Sequence, residues 1–321
     1  MRLRPEDITI AVTVYNRREF VPDAIQSALA QSIPVRVMVV EDCGPDATLR
    51  DFILEKFGNR IEYFRNPKNR GLFDNWNACV EKCRTPWLSI LHDDDLLLPH
   101  FVATMLQLAE TAPGRASYHG HATTIDENGN IVATQSADWN ESWREIDVLE
   151  MADQDFGMMF AGNLFSTEAA KKIGGFRPNS YYTGDWDFWF RLALYGGAAR
   201  TAKVAAMTRI HFGLERGTTR VDRMGWRWAL ENAQRKRSLA LLAGQKGIPV
   251  RFNRMKHLEK SPIPSRILLR NARSYSRRIL KYNAWLFVHG RPPHFRYAVL
   301  QWLVRFFGQG VLRFFSYCLP R

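Results

Sequence analysis

Three acidic residues in a row, Asp93-Asp94-Asp95, follow the apolar run from Trp87 to Leu91. Adjacent carboxylates are costly to ionise together unless a cation neutralises them. No other cation partner is evident beside them in the sequence, and hard oxygen ligands suit Mg2+ or Mn2+, which also bind phosphate oxygens. Two further polar groups stand at comparable places. Thr13 to Asn16 closes the run 8–14, and Glu41-Asp42 closes the run 35–40. One acidic pair means little, because Asp is a common helix cap. Three such groups, each ending an apolar run, predict one shared site. There is no Gly-x-x-x-x-Gly-Lys-Ser/Thr loop, and no Gly-x-Gly-x-x-Gly after the first run. Both phosphate cradles are therefore excluded, and a bound diphosphate has to rely on a metal.

The elements that position these groups follow from the apolar patterning. Residues 8–14 (Ile-Thr-Ile-Ala-Val-Thr-Val) are rich in β-branched side chains and suit a buried parallel strand. Asn16 is read as the cap of a helix to about Gln31. Strands follow at 35–40, 61–64 and 87–91, with helices at about 46–57, from the Asn69-Arg70-Gly71 turn to Cys83, and from Pro99 to Ala109. Alternation of strand and helix predicts an α/β fold with a mostly parallel sheet and helices on both faces. Ligands in such sheets bind outside the carboxyl ends of the strands, where the three polar groups fall. Residues 113–150 read as a strand, a turn at Asn128-Gly129 and a Trp-containing loop. Residues 150–175 read as largely helical, and 186–195 as a further helix.

Of the 321 residues, 46 % are hydrophobic, enough for a sizeable core and unlike a disordered chain. Charge is unevenly spread. Residues 214–321 hold 23 Lys and Arg against 4 Asp and Glu, a net charge of +19, while residues 1–213 carry −6. Two domains are expected, a catalytic one over 1–213 and a basic, largely helical region over 214–321, broken at Ser261-Pro262-Ile263-Pro264 and Arg291-Pro292-Pro293. Basic residues beside Phe, Trp and Leu at helical spacing fit association with an anionic membrane surface. A helical subdomain with a solvated basic face is the plainer alternative. Nucleic-acid binding is not expected, since no recognised module is present. No stretch of about 20 apolar residues exists, so no transmembrane helix is expected. Cys43, Cys79, Cys83 and Cys318 form no Cys-x-x-Cys pair and read as free thiols. With no N-terminal signal, they point to a cytoplasmic protein, peripheral on the inner face of the plasma membrane.

A set of motifs now stands together. Thr13-Val14-Tyr15-Asn16-Arg17 is followed by Val39-Val40-Glu41-Asp42 with Gly44 and Asp46, then by Asn69-Arg70-Gly71 with Asn75-Trp76-Asn77. Leu91-His92-Asp93-Asp94-Asp95 with Pro99, Gly174-Gly175-Phe176 and Gly184-Asp185-Trp186-Asp187 complete it. In order and spacing, over about residues 7–212, the chain resembles glycosyltransferase family 2, inverting enzymes of the GT-A fold. The resemblance implies transfer of a single sugar from a nucleoside-diphosphate sugar, UDP- or dTDP-linked, to an acceptor hydroxyl, with Mn2+ or Mg2+. A glycan or lipid-linked acceptor in cell-surface glycan or glycolipid synthesis is the expected context.

It also implies roles. Thr13, Tyr15, Asn16, Asp42, Asn75, Asp93 and Asp94 would meet the nucleotide sugar, with Asp42 accepting from a pyrimidine ring nitrogen. Asp94, Asp95 and His211 would hold the metal. Asp185 would be the catalytic base, and Trp186 and Asp187 would meet the acceptor. Trp139, Trp143, Tyr181 and Tyr182 offer further aromatic faces, while Trp189 reads rather as core. Two positions depart from the family pattern. His92 stands at the first Asp of Asp-x-Asp, and Gly184 stands where many members have Glu. Gln234-Arg235-Lys236-Arg237 lacks the Trp of processive synthases, which favours single transfer. The competing readings are an inactive membrane-associated scaffold on the same fold and a nucleotidyltransferase. The second would need a Gly-rich basic loop after the first strand, and Tyr15-Asn16-Arg17 is not one.

Overall fold

The computed structural model describes residues 3–135, 139, 141–148, 151, 159–177 and 184–211, all within one compact unit. Tyr181, Tyr182, Cys318 and the whole basic region expected over 214–321 lie outside the described residues.

Among the described residues, ten strands form one sheet. β1 (Ile8–Val14), β2 (Arg36–Glu41), β3 (Glu62–Arg65) and β4 (Trp87–His92) come first. Next are β5 (Leu96–Leu97), β6 (Ser117–Ile125), β7 (Ile131–Thr134), β8 (Trp143–Glu145), β9 (Asn163–Ser166) and β10 (Ala198–Arg209). The order across the sheet is β3-β2-β1-β4-β9-β6-β10-β5, with β7 on β6 and β8 on β10. The expected parallel arrangement holds from β3 to β4. Beyond β4 it gives way to antiparallel pairing of β9 with β4 and β6, before β6 and β10 pair in parallel again. The sheet is therefore mixed, with parallelism concentrated in its N-terminal half.

Helices α1 (Val21–Leu29), α2 (Leu49–Phe57), α3 (Leu72–Lys82), α4 (Phe101–Thr111), α5 (Thr167–Lys172) and α6 (Gly184–Gly196) cover both faces. The period of two along β1 divides the core. Ile8, Ile10, Val12 and Val14 join buried residues of α1, α2 and α4 on one face. Ala11 joins those of α3, α5 and α6 on the other. The expected α/β architecture, with helices on both faces of a largely parallel sheet, is thus present.

Two expectations are corrected. Helix α1 begins at Val21 rather than after Asn16, because Pro22 sits in its first turn, where a missing N–H costs nothing. Residues 16–20 form a turn instead, closed by Phe20 N–H donating to Arg17 O at 2.9 Å. The segment expected to be largely helical contains strand β9 before α5. A short buried apolar run cannot be assigned to helix or strand by periodicity alone. Cys79 and Cys83 are buried free thiols, as expected. Among the described residues, no helix is long and apolar enough to cross a membrane.

Candidate active site

Register brings the three polar groups to one edge. Thr13 of β1 lies beside Val40 and Val14 beside Glu41, while His92 of β4 lies beside Thr13. The chain therefore leaves β1, β2 and β4 at the same level, at Tyr15, Asp42 and Asp93. Asp42 N–H donates to Val14 O at 2.8 Å, which extends the ladder to the edge. Gly44 lets the β2 loop close on β1. A Cβ there would lie 1.7 Å from Tyr15 O, so no side chain fits. Glu41 is fully buried behind this loop, accepting from Gly44 N at 3.1 Å and from the Tyr63 hydroxyl, with Arg65 Nε at 3.4 Å. Of the Glu41-Asp42 pair, only Asp42 faces the cavity.

That cavity has a volume of about 650 Å³, within the range of small-molecule sites. Thr13, Tyr15, Asn16, Asp42, Asn75, Asp93, Asp94, Asp95, Asp185, Trp186 and His211 all line it. At one end the Asp42 carboxylate accepts from Asn66 Nδ2 at 2.9 Å, Arg70 N at 2.8 Å and Gly71 N at 2.8 Å. Asn66 also donates to Asn75 Oδ1 at 2.9 Å, so Asn75 braces this end.

At the other end Asp93 Oδ2 accepts from Tyr15 N at 3.2 Å, and its Oδ1 pairs with Arg17 Nη1 at 3.2 Å. Arg17 Nη1 also pairs with Asp94 Oδ2. His211 Nε2 donates to the same oxygen at 2.8 Å. Asp95 Oδ1 accepts from Arg209 N at 2.8 Å, and Arg209 Nε donates to Asp94 O at 3.0 Å. The triplet thus has a resident cation, Arg17, which the sequence expectation lacked. Burial pushes Asp93 up to about 6 against the pull of Arg17. Burial also raises Asp95, against its contact with His92. Burial would raise Asp94 too, but Arg17, His92 and His211 outweigh it and hold that carboxyl below the usual range. The cluster is an ionised Asp94 between two carboxyls that keep their protons more readily.

His92, the departure from Asp-x-Asp, sits in an aromatic stack. Its ring centroid is 4.4 Å from Phe160 and 5.3 Å from Trp76, with near-parallel planes. His92 Nδ1 is 3.5 Å from Asp95 Oδ2, longer than a good hydrogen bond. Both Asp95 Oδ2 and His92 Nε2 are buried without a hydrogen-bond partner among the described residues. Donor atoms of His92, Asp94 and Asp95 lie within 4.8 Å of one another. Unsatisfied ligand atoms of this type, so close together, could hold a divalent ion. The expected ligands were Asp94, Asp95 and His211. The structure groups His92 with the two aspartates, and puts His211 to work on Asp94 through a hydrogen bond.

Asp185 lies in the first turn of α6 and accepts from Trp186 N at 2.9 Å. The Gly184 departure has a steric cause. A Cβ there would fall 2.3 Å from the Phe73 ring, so any side chain would force Phe73 of α3 to move. Asp187 does not face the cavity, contrary to the acceptor role expected for it. It is buried between Arg191 Nε at 2.8 Å and Arg177 Nη1 at 3.2 Å. Arg191 in turn donates to Ile173 O at 2.8 Å and Gly175 O at 2.7 Å, so Asp187 anchors the Gly174-Gly175 turn. The i, i+4 spacing of Asp187 and Arg191 is the signal that reveals this. Trp189 is core, as expected, with its ring 5.7 Å from that of Phe165. Trp139 and Trp143 do not line the cavity. The first lies under Arg200 and the second pairs into the sheet through β8.

Sequence reasoning missed Arg17, Phe160 and Arg209 as cavity residues. The first has a legible signal, since adjacent aspartates demand a cation and Arg17 follows Tyr15-Asn16.

The sequence model of Glycosyl transferase family 2 matches residues 9–174. An uncharacterised glycosyltransferase of Rickettsia typhi is 26 % identical over 212 residues, 64 % of this chain and 64 % of that protein. Succinoglycan biosynthesis protein ExoO of Rhizobium meliloti is 34 % identical over 107 residues, 33 % of this chain and 30 % of that protein. The chain therefore spans less than two thirds of the length of either relative. Among solved structures, S. aureus TarS 1-349 in complex with UDP-GlcNAc superposes with a TM-score of 0.59 at 15 % identity, covering 85 % of this chain and 80 % of that one. Identity that low speaks for the fold alone.

Proposed function

The chain belongs to glycosyl transferase family 2, and from that premise we propose that it moves one sugar, with inversion, from a UDP- or dTDP-linked donor to an acceptor hydroxyl. It is a glycosyltransferase by family. What supports the finer reading is one observation: a single cavity runs from Asp42 through Asp93, Asp94 and Asp95 to Asp185. Asp42, fixed by three N–H donors, keeps a free lone pair for a base N–H. Exposed Tyr15 borders that end. The diphosphate then falls near Arg17 and the aspartate triplet. Asp94, Asp95 and His92 would hold a divalent ion, which would supply positive charge for the leaving diphosphate. Asp185 accepts the proton of the acceptor hydroxyl as that oxygen attacks the anomeric carbon. The carboxylate is a weak base, so positioning at the helix start has to make up the difference. Trp186 gives the acceptor ring an aromatic face.

The likeness to ExoO, a succinoglycan biosynthesis protein, supports a role in polysaccharide synthesis, and the +19 charge after residue 213 supports work beside an anionic membrane. The test is donor turnover on a panel of UDP-, dTDP- and GDP-sugars, with and without Mn2+. We expect metal-dependent turnover of a pyrimidine-linked donor. Turnover of none, or only of a purine-linked donor, overturns the donor assignment.

A further inference from the structure

Arg17 holds the position that a metal ion would claim. Its Nη1 is 3.2 Å from Asp93 Oδ1 and pairs also with Asp94 Oδ2, and its side chain is only 22 % exposed. Asp94 Oδ2 takes a second donor, His211 Nε2, at 2.8 Å. Both lone pairs of that oxygen are thus engaged by the protein itself. Arg17 stands in the turn between β1 and α1, next to Tyr15 and Asn16, on a long side chain that swings without moving the sheet.

We infer that Arg17 is an internal counter-ion, holding Asp93 and Asp94 in place of a divalent cation until a nucleoside diphosphate arrives, so that metal and nucleotide bind cooperatively. This rests on the donor and metal reading above. The charges argue for it. A metal ion that reaches Asp94 Oδ2 must displace the guanidinium, and then stands beside a cation that has lost one of its two carboxylate partners. A diphosphate entering without metal faces three carboxyl groups. Together, each supplies the charge the other lacks. The freed guanidinium then matches phosphate oxygens in its planar, two-pronged fashion. Arg17 becomes a positioning residue for the diphosphate, and the coupling is reciprocal: nucleotide tightens metal as metal tightens nucleotide.

Mn2+ binding to the full chain tests this, read from the electron paramagnetic resonance signal of free Mn2+. It is measured alone and with saturating UDP, dTDP or GDP, correcting for Mn2+ held by free nucleotide. In the wild-type protein, nucleotide should tighten Mn2+ by about 10-fold or more. Arg17→Gln should bind Mn2+ without nucleotide at least about fivefold tighter, and its coupling should shrink toward unity. Arg17→Lys keeps the charge and should keep weak binding of metal alone, whereas a merely structural role makes Lys behave like Gln. Unchanged or weaker Mn2+ binding in Arg17→Gln overturns the inference and leaves the donor reading standing. So does equal wild-type affinity with and without nucleotide, a measurement that needs no variant to fold. A wild-type protein that binds neither metal nor any nucleotide overturns both.

Discussion

Asp42 and Asp94 stand at the same sheet edge, after β2 and β4, which flank β1, yet they are held in opposite ways. Asp42 is ringed by neutral N–H groups, two of them main chain. Asp94 is ringed by charged or chargeable side chains, Arg17 and His211. A carboxylate fixed by amides stays fixed whatever binds, and suits a recognition role. A carboxylate fixed by cations is fixed only while they stay, so its partner can be exchanged. One cavity therefore joins a rigid end to an exchangeable one.

Chelation separates the two ends most sharply. Excess EDTA should lower transfer by about 10²–10³-fold or more, with Mn2+ or Mg2+ restoring it. Full activity in EDTA would erase the distinction, since Asp94 would then answer to protein cations alone. Asp185 belongs to neither end, and Asp185→Asn should cost about 10²-fold in turnover with donor affinity little changed. Near-normal turnover would assign the base elsewhere, though not to buried Asp187.

Stability sharpens the contrast further. Asp42→Asn turns an amide group toward N–H donors and should lower stability by about 1–3 kcal/mol in denaturant titration. Asp94→Asn removes a carboxylate that Arg17, His92 and His211 keep ionised below the usual range. It should lower stability, but by less than Asp42→Asn, because Arg17 keeps Asp93 as a partner. Equal losses would mean that Asp94 is as structural as Asp42.

A last effect, absent at neutral pH, concerns a polar group on β6, between antiparallel β9 and parallel β10. Buried His119 on β6 donates from Nδ1 to Asn163 Oδ1 at 2.9 Å and accepts at Nε2 from Ser117 Oγ at 2.8 Å. Burial pulls its value from 6.5 down to about 3. The unfolded chain therefore binds a proton that the folded chain refuses. Stability is full above pH 6.5 and falls as pH drops toward 3, by about 1 kcal/mol per unit. His119→Gln should flatten that slope while leaving neutral-pH turnover intact. An unaltered slope would show that other groups govern acid unfolding.

The N-terminal half of the sheet was legible because β1, β2 and β4 are apolar runs that end in polar clusters, and those ends are the site. The other half was not. Strand β9 has four residues, and its burial depends on neighbours more than 40 positions away in sequence. Site residues were legible as types at strand ends, but their facing was not. Asp185 and Asp187 look alike in sequence. Only the cage of Arg177 and Arg191 turns one inward and leaves the other in the cavity. His92 read as a departure from a pattern, and its stack on Phe160 depends on a residue 68 positions downstream.

That stack has an optical consequence. Trp76 lies nearly parallel to His92, 5.3 Å away, and 4.2 Å from Phe160. Indole emission is quenched by a protonated imidazole and by paramagnetic ions, so Trp76 is a built-in fluorophore behind His92, one of the residues proposed to hold a metal. Trp76→Phe supplies the background to subtract. The difference spectrum then reports cation arrival in real time, on a protein that carries no label.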